Sequence, residues 1–420
     1  MTAERHLLQM LFNAAVQAAD PLNGIRKHLP QPPANGRTVV IGAGKGAAQM
    51  AAALETVWGG PVLSGVVVTR YGYGCETKNI EIIEAAHPVP DEAGLAASRR
   101  LVDAVSDLSE NDLVIALICG GGSALLPSPP KGLTLQDEIA LNETLLASGA
   151  PISAMNVVRK HVSTIKGGRL AAATKARVVS LIVSDIPGDN PAFVASGPTV
   201  PDASTRQEAL AIVEQYRMEL PAPIIAHLNT PAADAPMQDD PRFAKNEHHI
   251  IASAGVSLEA AADLARSHGV EAHILSDSVE GEARDVALVH AAIAREVALK
   301  DRPFTKPAVI LSGGETTVTI RSKGGKGGRN GEFALSFALA IGGTRVVALA
   351  ADTDGIDGSE NNAGAFVDGT TAQRLLHVGL DGRTLLERND SYSGFAAIGD
   401  LFETGPTGTN VNDFRAILIR

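Results

Sequence analysis

The sequence predicts an α/β protein built from two α/β/α domains, each with a largely parallel sheet. Three observations carry that prediction. Apolar strand-like runs alternate with amphipathic helical stretches along almost all of the 420 residues, the pattern of parallel sheets covered by helices. Hydrophobic residues are 45% of the chain and charged residues 20%, enough for complete cores and too apolar for disorder. One proline-rich segment, Leu220–Asn246 with Pro221, Pro223, Pro231, Pro236 and Pro241, breaks the alternation and suits a connection rather than a core. The expected division is a Rossmann-like domain over 1–230, a linker over 231–246 and a second α/β domain over 247–420.

Short β-branched and apolar runs predict the strands: Thr38–Ile41, Val62–Thr69, Ile80–Glu84, Asp112–Cys119, Val178–Ser184 and His249–Ser253, then Ala272–Leu275, Ala308–Leu311, Thr316–Ile320, Val346–Ala350 and Ala416–Ile419. Apolar residues at helical spacing predict helices between them, among them 45–57, 91–107, 134–147, 204–216, 257–268, 282–298 and 330–340. Right-handed crossovers then put the strand-end loops on one rim.

The net charge is −11, which argues against nucleic acid or an anionic membrane as the main partner. A small anionic substrate stays open, because local cations set the field of a pocket. Two cysteines, Cys75 and Cys119, exclude a disulfide scaffold and a cysteine-rich zinc site. Aromatic residues at 4% are too few for single-strand stacking platforms. Residues 1–20 mix apolar side chains with Glu4, Arg5, His6 and Gln9, so they read as an amphipathic helix rather than a signal peptide. No run of about 18 uncharged apolar residues occurs. The expectation is a cytoplasmic enzyme.

The chemistry concentrates in glycine-rich segments at strand ends. Gly42-Ala43-Gly44-Lys45-Gly46-Ala47 follows a strand and opens a helix, a place where backbone N–H groups can meet a phosphate. It also fits the dinucleotide variant G-x-G-x-x-A, but Thr69-Arg70 stands where the ribose-binding acid belongs. An ordinary turn with an exposed lysine is the competing reading. Cys119-Gly120-Gly121-Gly122-Ser123 also ends a strand. Three successive glycines before a hydroxyl suit a phosphate or carboxylate better than a merely flexible turn. No Walker A pattern occurs.

Asn156, Arg159 and Lys160 share one helix face, a candidate anion site or else a solvated surface. Ser184-Asp185-Ile186-Pro187-Gly188-Asp189 and Ser196-Gly197-Pro198-Thr199 put carboxylates and hydroxyls at a strand end, with Asp189 a candidate Mg²⁺ ligand. Asx-turn chemistry is the alternative. Further along, Ser312-Gly313-Gly314-Glu315 reads as another strand-end turn, and the basic run 323–332 brings Arg329 to a helix start, a candidate for stabilising transferred phosphate. Asp352-Thr353-Asp354-Gly355-Ile356-Asp357 fails the calcium-loop pattern and reads instead as an acidic loop facing a nucleotide–metal complex.

Taken in order with His87-Pro88-Val89-Pro90-Asp91 and Gly408-Thr409-Asn410-Val411-Asn412-Asp413, these segments resemble the MOFRL family of glycerate kinases over nearly the whole chain. The resemblance implies a MOFRL-type C-terminal domain, an active site in a cleft between two α/β domains, and ATP-dependent phosphorylation of D-glycerate at the 2-hydroxyl with Mg²⁺. It nominates Lys45 and Arg329 as the catalytic residues. Substrate and phosphate contacts are then expected from Gly44, Gly120, Gly121, Gly122, Ser123, Asn156, Arg159, Lys160, Ser196, Gly197, Gly313, Gly314, Glu315 and Asn410, and metal contacts from Asp189 and Asp354. The alternative is an NAD(P)-dependent hydroxypyruvate reductase. The expected partners are the sugar acid and the nucleotide, without nucleic acid or membrane, and a homodimer is left open.

Overall fold

A computed structural model describes residues 2–201, 203–322 and 324–420; Lys323 of the basic run lies outside the described residues. The chain forms two compact units, one spanning Pro21–Ile251 and the other joining Met1–Asp20 to Ala252–Arg420. This division differs from the expected one at both ends, and the N-terminal helix shows why. Ala3–Ala18 buries Leu7, Leu8, Leu11, Phe12 and Ala15 on one stripe. Phe12 packs edge-on against Phe402 and Phe414, with ring centroids 5.0 and 5.7 Å apart. The stripe is visible in the sequence, but its partner lies almost 400 residues away. Glu247–Ala252 likewise completes the sheet of the first unit.

The unit Pro21–Ile251 holds one six-stranded sheet. Its strands are β1 Thr38–Ala43, β2 Ser64–Arg70, β3 Ile80–Ala85, β4 Leu113–Cys119, β5 Arg177–Val183 and β6 Glu247–Ala252, in the order β3-β2-β1-β4-β5-β6. The β1–β2, β1–β4, β2–β3 and β4–β5 pairings are all parallel. β4 is buried at all seven positions, as a central strand covered on both faces must be. One face packs Ile41, Val68, Ile118 and Ile182 against Ala97, Leu101 and Val105 of the helix Glu92–Ser106. A separate helical cluster joins Leu141, Val158, Val213 and Ile224.

The other unit also has six strands: β7 Glu271–Glu282, β8 Ala308–Thr317, β9 Val346–Asp352, β10 Gly364–Asp368, β11 Leu401–Phe402 and β12 Asp413–Ile419, in the order β11-β10-β9-β12-β8-β7. Only β7–β8 pairs in parallel; β12 runs antiparallel to both β8 and β9. Helices between β7 and β8 and between β8 and β9 keep those three strands pointing one way, as crossovers require. The C-terminal strand then inserts between β8 and β9, so the sheet is mixed rather than largely parallel. Two strands expected over 308–320 are one: β8 runs unbroken from Ala308 to Thr317.

Candidate functional site

In the unit Pro21–Ile251, chain order reverses between β1 and β4. Loops leaving the carboxyl ends of these two strands diverge there, and ligands bind at such points in open α/β sheets. The loops are the two glycine-rich segments read from the sequence, and they are joined. Lys45 N donates to Gly120 O at 2.9 Å, and Gly46 N donates to Cys119 Sγ at 3.2 Å. Gly44 sits at φ +138°, where a Cβ would stand 2.3 Å from Cys119 Sγ and 2.4 Å from its carbonyl oxygen, so only glycine closes this junction. Burial pushes the Cys119 thiol up to about 12, which makes it a packing group rather than a nucleophile.

Around the junction stand Lys45, His87 and Asp185. The Lys45 stem crosses Gly121: a Cβ there would lie 2.9 Å from Lys45 Cγ and 3.1 Å from His87 Nε2. A Cβ on Gly120 would meet the Asp185 carboxylate at 1.8 Å. Burial, then the charges of Lys45 and Arg70, lower the His87 imidazole to about 4, so it is neutral at pH 7. Sequence reasoning left His87 and Asp185 out of the site. Spacing alone could not tell which carboxylate of the 184–189 segment turns back over the glycines. Asp189 itself sits four residues on in a 3₁₀ turn at φ +51°.

Ser123 is hydrogen-bonded to Ser196, Oγ to Oγ at 2.7 Å. Ser196 donates to Asn156 Oδ1 at 3.2 Å, and Arg159 Nη1 donates to the same oxygen at 3.1 Å. Arg159 Nε donates to Asn142 Oδ1 at 2.8 Å. The helix face of Asn156 and Lys160 is therefore interior and not a solvated surface: these side chains are 2% and 0% exposed. Lys160 Nζ lies 4.3 Å from the Phe193 ring centroid, and burial lowers its ammonium to about 7. Gly197 ends the segment at φ +58°, after Ala195 and Ser196 at φ +52° and +60°. Non-glycine residues seldom hold this left-handed conformation without support. Here Gly167 N and Gly168 N donate to the carbonyls of Ser196 and Gly197.

In the other unit the candidates gather around Arg329, the first residue of the helix Arg329–Ala340. Its guanidinium donates from Nε to Asp413 Oδ1 at 2.6 Å, from Nη2 to Asp352 Oδ2 at 2.7 Å and from Nη1 to Glu315 Oε1 at 3.0 Å. A guanidinium has five N–H groups, so two stay available. Burial would lower its pKa, but Asp413, Asp352 and Glu315 outweigh that and raise it. Burial, partly offset by Arg329, raises the Asp352 carboxyl, with Asp354 and Asp413 adding to the rise. Burial alone would raise Asp413 as well; Arg415, Arg329, Thr316 and Asn330 together hold it below the usual carboxylate range.

The start of this helix is already capped: Asn330 N and Gly331 N donate to the two oxygens of Asp357 at 2.9 and 2.7 Å. That carboxylate and those around Arg329 explain how a cation sits at a helix N-terminus. Gly313 and Gly314 are not a turn. They lie inside β8, paired with Phe414 and Asp413 of β12. At Gly314 (φ +121°) a Cβ would come 2.2 Å from Val279 N, so this glycine admits the irregular β7. Asp354 accepts from Ile356 N at 2.8 Å and lies 3.4 Å from Asn410 Nδ2. Asp352 and Asp413, missed as partners of Arg329, are the last residue of β9 and the first of β12, and they pair directly.

No group of three or more His, Cys, Asp or Glu side chains among the described residues is arranged to hold a metal ion. The carboxylates at 185, 189 and 354 are hard oxygen donors. Each by itself is a donor of the kind that suits an Mg²⁺ arriving on phosphate oxygens, an ion that needs only one or two carboxylates. No helix among the described residues is long and apolar enough to cross a membrane.

The chain is similar to known proteins along most of its length. Residues 7–229 match a domain of unknown function, DUF4147, and residues 308–413 match the MOFRL family. A protein of Agrobacterium vitis, provisionally named a hydroxypyruvate reductase, is 49% identical over 422 residues, covering 99% of this chain and 94% of its own. The D-glycerate 2-kinase of Thermotoga maritima is 41% identical over 407 residues, covering 96% and 95%. A crystal structure of glycerate kinase from the same organism matches with a TM-score of 0.90 at 39% identity, covering 100% of both chains. With these matches running the length of both units, the chain belongs to the MOFRL family of glycerate kinases.

Proposed function

We propose that this protein transfers the γ-phosphoryl group of ATP to the 2-hydroxyl of D-glycerate, giving 2-phosphoglycerate and ADP. The observation that carries the reading is the joined glycine loops at the β1/β4 switch point with Lys45 laid across them, in a chain 41% identical to a D-glycerate 2-kinase. Phosphoryl transfer asks a protein mainly for positioning and charge neutralisation. The loops supply backbone donors and close approach, and Lys45 supplies an exposed ammonium. Arg329 supplies a guanidinium whose plane is fixed by three carboxylates while two N–H groups stay available. In this reading Lys45 and Arg329 act on the transferring group, which arrives with the nucleotide. Mg²⁺ would neutralise phosphate charge, held by Asp354 or Asp189. Two free cysteines fit a reducing, cytoplasmic setting.

Reductase chemistry is the weaker reading. β2 ends in Thr69-Arg70 rather than an acid. Thr69 Oγ1 donates to Lys45 O at 2.9 Å, and the Arg70 guanidinium stacks 4.1 Å from the Tyr73 ring centroid. β2 itself therefore ends without the acid that binds the ribose hydroxyls in the dinucleotide fold. The test is a coupled assay with D-glycerate, ATP and Mg²⁺, with the product isomer resolved by ³¹P NMR, beside hydroxypyruvate with NADH or NADPH. A 2-phosphoglycerate signal is expected. Nicotinamide oxidation without phosphoryl transfer would overturn the proposal.

A further inference from the structure

The hydrogen-bond chain behind the glycine loop fixes the direction of every proton in it. Arg159 can only donate, so the oxygen of the Asn156 amide, not its nitrogen, must face Nη1 at 3.1 Å. That leaves Asn156 Nδ2 for the Phe193 carbonyl at 3.3 Å, which only accepts. An amide oxygen cannot donate, so Ser196 spends its one hydroxyl proton on Asn156 Oδ1 at 3.2 Å. The short Ser123–Ser196 contact at 2.7 Å then has one solution: Ser123 donates and Ser196 accepts. The middle of the chain is interior, with Ser196 at 0% and Asn156 at 2% exposure, so water does not reshuffle those two groups, while Ser123 and Arg159 at its ends are half-buried.

Ser123 therefore presents lone pairs, and no proton, to whatever lies over the loop. Phosphate and carboxylate oxygens at neutral pH carry no proton to give. The serine that looks from sequence like an anion-binding donor is thus turned away from that role. Taking the kinase reading as its basis, we infer that Ser123 is a specificity-determining acceptor for a hydroxyl of the sugar-acid substrate, while the loop backbone and Lys45 serve the anion. A site built to accept a hydroxyl rejects analogues that lack it, because its own polar group is then left unpaired.

The test is calorimetric binding of D-glycerate, D-lactate (no 3-hydroxyl) and 3-hydroxypropionate (no 2-hydroxyl) to wild type and Ser123→Ala, with KM for ATP measured in parallel. The substitution removes only a hydroxyl, and an unchanged thermal melt establishes that the variant is folded. Expected is a loss of about 10-fold for D-glycerate and for the one analogue that keeps the contacted hydroxyl. The other analogue and KM for ATP should change less than about 2-fold. Equal weakening of all three carboxylates would reassign Ser123 to the carboxylate and overturn the inference. So would a rise confined to KM for ATP, or no change in any ligand. If the expected binding pattern appears without phosphoryl transfer, the kinase reading fails and the hydroxyl assignment stands. If wild type does not bind D-glycerate, both fall.

Discussion

Replacing Arg329 with alanine separates the structural from the catalytic use of the guanidinium. Its partners Asp413 and Asp352 have side chains 0% and 6% exposed, while Glu315 is 55% exposed and contributes little. Removing one member of a buried ion-pair network costs roughly 3–5 kcal/mol, because it leaves charge buried without compensation. Arg415 still faces Asp413, which favours the lower end. For a unit of about 190 residues that corresponds to a fall in Tm of about 6–20 °C. The loss depends on pH with a definite sign. Asp352 already titrates above its unfolded range because of burial, and without Arg329 it moves higher. A carboxyl with a raised folded pKa binds more protons folded than unfolded, so stability falls as pH rises above its unfolded pKa of about 4. Wild type and variant lose stability alike up to the wild-type value of about 8, so the gap between them should widen from pH 8 to about pH 9.5. Thermal melts at both values test this, with kcat at pH 8 expected to drop on the order of 10²–10³-fold. A variant melting within about 2 °C of wild type at pH 8, or a gap that narrows with pH, would refute the ion-pair argument.

Three further outcomes follow from the same geometry. Lys45→Ala should lower kcat on the order of 10²–10³-fold with Tm unchanged, because the side chain is exposed; near-normal turnover in the coupled assay would remove Lys45 from the mechanism. Gly44→Ala should destabilise the protein by more than about 1 kcal/mol, since a Cβ meets the Cys119 backbone at φ +138°; a urea melt overlying wild type would show that the junction relaxes. Asp354→Asn and Asp189→Asn should raise the Mg²⁺ concentration needed for half-maximal rate by several-fold, and a titration curve unmoved in both would detach these carboxylates from the metal.

The site was legible to different depths in its two halves. Near β1 and β4, adjacent strands carry the loops Gly44–Gly46 and Gly120–Ser123 directly, so strand-then-glycine patterns located them. His87 and Asp185 reach the same place by tertiary folding and carry no spacing signal. Arg329 stood out as a cation at a helix start, yet its partners lie on β8, β9 and β12 and only sheet order joins them. The Asn156–Lys160 face looked equally suited to solvent, because helical spacing says which residues align and not what covers them.

By itself the sequence determined the α/β class, the parallel direction of the strands in the first sheet, the strand-end loops and the resemblance that names the chemistry, because hydrophobic period and glycine placement are local properties of a chain. The tertiary structure decided that residues 1–20 belong with 252–420, that β12 inserts antiparallel between β8 and β9, that Gly313 and Gly314 lie within a strand, and that the Ser123 proton points inward. Each of these depends on which distant segment supplies the buried partner, and a buried donor or charge is fixed by its partner rather than by its own position in the chain.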